Sequence, residues 1–90
     1  MLKTLENLIS TIRQKKTSPD EKSYTSKLLR DKNLSVEKVK EEIAELIEAV
    51  ENNSNTVHEA ADVLYHLLVY LEGNGVRIED IMIELDKRRK

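Results

Sequence analysis

Ninety residues carrying 15 basic and 17 acidic side chains, two glycines, one proline, three tyrosines as the only aromatic residues and no cysteine suit a single all-α domain over 1–90 with a modest core. That composition excludes disulfides and thiolate metal sites, and its near-balanced charge lacks the basic excess of a nucleic-acid binder. Met1-Leu2-Lys3 leads into an amphipathic pattern rather than a secretory h-region, and the apolar stretch 57–71 is too short and interrupted to span a bilayer, so a cytoplasmic protein without membrane or nucleic-acid partners is expected.

Leu2, Leu5, Leu8, Ile9 and Ile12 recur at helical spacing and predict a first helix over 2–16, with Arg13, Lys15 and Lys16 in its last turn, where the dipole favours cations. Ser18-Pro19-Asp20-Glu21 then has the order of a helix start, with serine as cap, proline at the first helical position and glutamate closing a capping box. The segment that follows, to about Arg30, carries Ser23, Tyr24, Thr25 and Lys27. Hydroxyls and a cation this close together suit phosphate or ribose oxygens, and equally suit a helix surface with a half-buried tyrosine.

Asp31-Lys32-Asn33 breaks the pattern, and Ser35 fits the N-cap of a third helix to about Glu51. Val36, Val39, Ile43, Leu46, Ile47 and Val50 form its expected core stripe; Glu41, Glu45 and Glu48 project from the other side, and Glu42 borders the stripe. Asn52-Asn53-Ser54-Asn55 is turn material, after which Thr56 and Glu59 fit a capping box that would compete with any ligand role for that carboxylate. In the fourth helix only Asp62 and His66 are neither apolar nor tyrosine between Ala60 and Leu71. Glu59, Asp62 and His66 share one stripe, opposite Val57, Ala61, Leu64, Leu68 and Leu71. Gly73-Asn74-Gly75 ends that helix, and Val76, Ile78, Ile81, Met82 and Leu85 predict a fifth, with Met82 in the core. Its basic end, Lys87 to Lys90, suits a helix C-terminus or reaches substrate phosphates, while His58 reads as surface.

The short turn at 52–56 forces the third and fourth helices into an antiparallel hairpin, which brings the pair Glu42/Glu45 against the pair Glu59/Asp62. Carboxylates held ~5 Å apart repel by roughly 3 kcal/mol per pair at an effective dielectric near 20, so something cationic must meet them. Oxygen-only ligation favours a hard divalent ion such as Mg²⁺, which commonly completes its shell with water and substrate phosphates. His66, one turn after Asp62, is placed to orient that carboxylate from the second shell, or to be a hydrogen-bonded structural group. Glu37, Glu41 and Glu48 read as solvated.

Glu41-Glu42-Ile43-Ala44-Glu45 followed by Glu59-Ala60-Ala61-Asp62 resembles the EExxE and ExxD motifs of the all-α, MazG-like nucleotide pyrophosphohydrolases. Within that group the chain is most similar to the phosphoribosyl-ATP pyrophosphatases, through Ser23-Tyr24-Thr25-Ser26-Lys27-Leu28-Leu29, Lys38-Val39-Lys40-Glu41-Glu42 and the run from Glu59 to Val69. The likeness extends over nearly the whole chain, and Lys40 departs from it by standing where the family usually has glycine. The resemblance implies a bundle of four to five helices completed by dimerisation. It also implies Mg²⁺ on Glu42, Glu45, Glu59 and Asp62, with Glu41 as a spare carboxylate to take a proton from water, and substrate contacts from Ser23, Tyr24, Thr25, Lys27 and Arg30.

The implied reaction is hydrolysis of the α–β phosphoanhydride of phosphoribosyl-ATP, the second step of histidine biosynthesis. Two other readings remain open at this point: a house-cleaning nucleoside triphosphate pyrophosphatase with the same carboxylates, and a non-catalytic helical dimerisation domain. The apolar circumference of the fourth helix, including Val63, Leu67, Val69 and Tyr70, argues for a homodimer or larger assembly in any of them.

Overall fold

The computed structural model describes residues 2–89, and among them every regular element is a helix: α1 (Lys3–Thr17), α2 (Tyr24–Arg30), α3 (Lys32–Asn52), α4 (Thr56–Gly73) and α5 (Ile78–Arg88). Among the described residues no helix is long and apolar enough to cross a membrane. Lys90, the last residue of the expected basic tail, lies outside the described residues, and the tail's Arg88 and Arg89 pair locally with Glu84 and Asp86.

Local side-chain hydrogen bonds move two helix starts away from the expected positions. Asp20 organises a turn, its carboxylate accepting from the Lys22 N–H at 3.0 Å and its carbonyl from the Ser23 N–H at 2.9 Å. Its own N–H donates to the Ser26 hydroxyl at 3.0 Å. Pro19 to Lys22 therefore stay outside α2, and Ser23 rather than Ser18 caps it by accepting from the Ser26 N–H at 3.2 Å. Asp31 likewise caps α3 by accepting from the Leu34 N–H at 3.1 Å, which places Ser35 inside the helix and buries it. The α3–α4 connection turns through Asn53 and Asn55, both left-handed, a conformation asparagine tolerates better than most residues. Thr56 is already helical and its hydroxyl donates to the Ala49 carbonyl at 3.4 Å, so the expected capping box with Glu59 does not form. At the other end of α4, Gly75 at φ +76° supplies the left-handed residue of a Schellman closure, with the Val76 N–H on the Leu71 carbonyl at 2.9 Å.

The core gathers at one end of the molecule. Ile9 and Ile12 of α1, Leu28 of α2, and Leu68 and Val69 of α4 are buried together, with Leu5, Leu8, Leu29, Leu34, Tyr65 and Ile78 packed around them. Val69, only 1% exposed, belongs to this core and not to a subunit seam. Beside the core, Arg13 holds Glu72 in a two-pronged pair, Nε to Oε1 at 2.9 Å and Nη2 to Oε2 at 2.8 Å, and also meets Glu79.

Toward the α3–α4 turn the expected core stripe is open to solvent. The buried line of α3 is Ser35, Glu42 and Ala49, whereas Ile43, Ile47 and Val50 are exposed. At about 100° per residue those two sets lie roughly a quarter-turn or more apart, so packing the smaller, polar line against α4 turns the apolar one outward. On α4, Leu64 and Val57, the latter 84% exposed, are also uncovered, because α1 and α2 pack on the later turns. Met82 is exposed on α5, which touches the bundle chiefly through α4 and therefore leaves its own outer face bare.

Candidate active site

On α3 the spacing i, i+3, i+4, i+7 puts Lys38, Glu41, Glu42 and Glu45 on one face; on α4 His58, Glu59 and Asp62 share another. Glu41, Glu42 and Glu45 can bring one oxygen each within 4.8 Å of one another, and so can ligand atoms of His58, Glu59 and Asp62. The antiparallel hairpin makes these groups face each other. Burial pushes the Glu42 carboxyl above its usual pKa, and the charges of Glu45 and Asp62 push it further. Glu59 is raised in the same way, first by burial, then by Glu45 and by Asp62.

Glu42 is 7% exposed, and among the described residues neither its buried Oε2 nor the buried Oε2 of Glu59 has a hydrogen-bond partner. Buried carboxylate oxygens left without a partner are unfavourable. A hard divalent cation between the helices would satisfy both, and the oxygen-rich donor set is of the kind that could hold Mg²⁺. A cleft of about 210 Å³ continues from Glu45 and Glu59 toward the turn, lined also by Glu48, Asn52, Ser54 and Asn55.

The segment read as the substrate side divides. The Tyr24 hydroxyl lies 3.0 Å from His66 Nε2, and His66 Nδ1 lies 2.8 Å from the Asp62 carbonyl oxygen. A carbonyl only accepts, so Nδ1 carries a proton; in the neutral ring Nε2 then accepts from the tyrosine hydroxyl. His66 thus touches the main chain of Asp62 rather than its carboxylate, and what it orients is Tyr24. Tyr24 stacks on Tyr65 with centroids 6.3 Å apart, His66 meets both rings edge-on, and the Thr25 hydroxyl bonds the Tyr65 hydroxyl. Ser23 is committed to the cap of α2. Lys27 is exposed, and Arg30 lines a different cleft of about 310 Å³ with Lys15, Lys16, Pro19, Ser26, Leu29 and Gly73, away from the acidic groups.

Three residues with a place here were given no role from the sequence. His58 Nε2 is 3.4 Å from Asp62 Oδ2, a contact its i, i+4 spacing announces. Glu48, read as solvated, lines the cleft at the turn. Lys38 stands 3.5 Å from Glu41 and one turn before Glu42. Lys40, by contrast, lies on the Ile43–Ile47 side of α3, turned away from Glu42.

A sequence profile of the family described as Phosphoribosyl-ATP pyrophosphohydrolase matches residues 5–89. The chain is 42% identical over 94 residues to the phosphoribosyl-ATP pyrophosphatase of Methanoregula boonei, covering 99% of this chain and 90% of that protein. It is 42% identical over 88 residues to the phosphoribosyl-ATP pyrophosphatase of Methylobacterium nodulans, covering 94% and 82%. To the chloroplastic histidine biosynthesis bifunctional protein hisIE of Arabidopsis thaliana it is 42% identical over 92 residues, which span 97% of this chain and only 33% of the plant protein.

Proposed function

The chain belongs to the phosphoribosyl-ATP pyrophosphohydrolase family, and from that premise we propose that it hydrolyses phosphoribosyl-ATP to phosphoribosyl-AMP and pyrophosphate, with Mg²⁺ held by Glu42, Glu45, Glu59 and Asp62. The observation that carries the metal assignment is the pair of buried, partnerless oxygens on Glu42 and Glu59. A cytoplasmic setting is part of the same proposal.

When bound, Mg²⁺ would supply charge neutralisation for the triphosphate and activation of water. The chain's own residues do the rest. Burial and their neighbours raise the Glu42 and Glu59 carboxyls, so protons would compete with a cation for these oxygens and metal affinity should fall as the pH is lowered. The hydroxyls of Ser23, Tyr24 and Thr25 are engaged with Ser26, His66 and Tyr65 and the chain has no cysteine, so water is the nucleophile. Its oxygen bonds to the α-phosphorus, the bond from that phosphorus to the bridging oxygen breaks, and pyrophosphate leaves with the electron pair. Glu41, exposed beside the metal carboxylates, takes the water's proton. The Tyr24–Tyr65 stack offers a flat surface for the base.

A second copy of the chain covers Ile43, Ile47, Val50, Val57 and Leu64, an apolar surface on the same hairpin that carries the carboxylates. Lys40, exposed on the same side of α3, stands at the edge of that surface.

Incubation with phosphoribosyl-ATP and Mg²⁺, with ATP and deoxynucleoside triphosphates in parallel, tests the activity. Stoichiometric pyrophosphate from phosphoribosyl-ATP, abolished by chelator, is expected. Equal turnover of the ordinary triphosphates would replace this substrate assignment with a house-cleaning one, and no pyrophosphate from any of them would overturn the enzyme reading.

A further inference from the structure

A substrate with a triphosphate needs a protein cation as well as metal, and the positions first expected to provide it are poorly placed. Lys27 projects from α2 into solvent, and Arg30 lines the cleft shared with Lys15 and Lys16. Arg13 is locked between Glu72 and Glu79, and the Lys32 ammonium donates to the Gly73 carbonyl at 2.7 Å. Neither lysine nor arginine occurs in α4.

The geometry points to Lys38 as the side chain that contacts the triphosphate of the substrate, a role that rests on the phosphoanhydride hydrolysis proposed above. Lys38 is the lysine on the carboxylate-bearing face of α3, one turn before Glu42 and three residues before Glu41. Its charge acts on Tyr24 and on Glu42 as well as on Glu41, so it lies near both the tyrosine of α2 and the acidic cluster. Its side chain is 31% exposed, with the stem partly covered and the ammonium directed at Glu41 Oε1. That pair is long at 3.5 Å and its glutamate is 51% exposed, the kind of ion pair that contributes little to stability and is readily exchanged. An ammonium has three donors, and phosphate oxygens are stronger acceptors in that position than one water-exposed carboxylate. Exchange of Glu41 for phosphate therefore leaves the fold intact and frees Glu41 toward the water it deprotonates.

Lys38→Met and Lys38→Arg, measured in three ways, decide this. Steady-state pyrophosphate release from phosphoribosyl-ATP should fall about 10- to 100-fold in kcat/KM for Lys38→Met, the loss expected for one charge-assisted hydrogen bond. Lys38→Arg should recover at least half of that loss on a logarithmic scale. Calorimetric binding of inorganic tripolyphosphate in the presence of Mn²⁺ should weaken by a similar factor, while Mn²⁺ affinity measured alone and the thermal midpoint stay within error of the parent. Parent-like tripolyphosphate affinity in Lys38→Met overturns the proposal. So does a fall in thermal midpoint and Mn²⁺ affinity that matches the loss of activity and is not restored by arginine, because the lysine is then a structural salt bridge. If the parent protein releases no pyrophosphate, the function reading fails on its own, and the tripolyphosphate measurement still judges Lys38.

Discussion

Helix α4 carries acidic side chains at both ends, and the fold treats them in opposite ways. Near its C-terminus Glu72 is buried, but Arg13 grips both its oxygens and the Ile78 N–H adds a third contact at 3.3 Å. Near its N-terminus Glu59 has a buried oxygen with no partner, and Glu42 across the hairpin has another. The closed end has its cation built in and holds α1, α4 and α5 together; at the open end Lys38 and His58 reach Glu41 and Asp62 but not the buried oxygens of Glu42 and Glu59, which would suit a cation from solution. The same division holds for apolar side chains, since Leu68 and Val69 are enclosed while Val57 and Leu64 are bare.

The largest expected effect of breaking this contrast is at the closed end. Arg13→Met should destabilise the protein by about 3–5 kcal/mol, the scale for leaving a buried charge unpaired, and Glu72→Gln added to it should restore part of the loss. Urea unfolding of the two variants checks this, and a parent-like midpoint for Arg13→Met would mean that Glu72 is solvated or protonated and the clamp ornamental. At the open end the effect should be on turnover. Glu42→Gln, Glu45→Gln, Glu59→Gln and Asp62→Asn should each lower kcat by about 10²-fold or more, while the metal-free thermal midpoint holds or rises because a repelling carboxylate has gone. Full activity in all four would move the metal elsewhere.

A smaller effect separates the two apolar surfaces. Leu64→Asp should lower the mass seen in sedimentation with the helical spectrum retained, whereas Val69→Asp should unfold the chain, since it puts a charge into the core made with Ile12 and Leu28. A parent protein that sediments as a monomer at micromolar concentration would remove the dimer.

How far the sequence was legible follows the same division. The five helices and the hairpin that opposes Glu42/Glu45 to Glu59/Asp62 could be read from periodicity and a short turn. The helix starts at Ser23 and Asp31 could not, because Ser18-Pro19 and Ser35 satisfy the same local rules, and only the Asp20 turn and the Asp31 cap decide between them. The core stripe of α3 was misplaced for a physical reason. Periodicity finds the most apolar face, Ile43, Ile47 and Val50, and one chain does not bury it, because Ser35, Glu42 and Ala49 let α3 approach α4 on another side. Arg13 was legible only as a favourable helix-end charge, since its partners lie 59 and 66 residues away.

The smallest expected effect is the pH dependence of stability in the metal-free protein, and here the two ends pull in opposite directions. Glu42 and Glu59 are raised by burial and by their neighbours, so on acidification from neutral pH the folded state takes up protons before the unfolded chain does. Stability should therefore increase as the pH falls through their folded values toward the ordinary glutamate pKa of about 4.3. Below that the sign reverses. Glu72 is held down by its hydrogen bonds to Arg13, and Glu79, by the same guanidinium, to about 2. The unfolded chain now protonates first, and stability is lost as the pH falls toward 2. The urea midpoint should pass through a maximum between these limbs. Mg²⁺ should flatten the neutral limb by keeping the open-end carboxylates ionised in the folded state, while leaving the acid limb to Arg13. Glu42→Gln should flatten the neutral limb without metal, and a midpoint indifferent to Mg²⁺ throughout would show that the two ends do not differ in the way their hydrogen bonding implies.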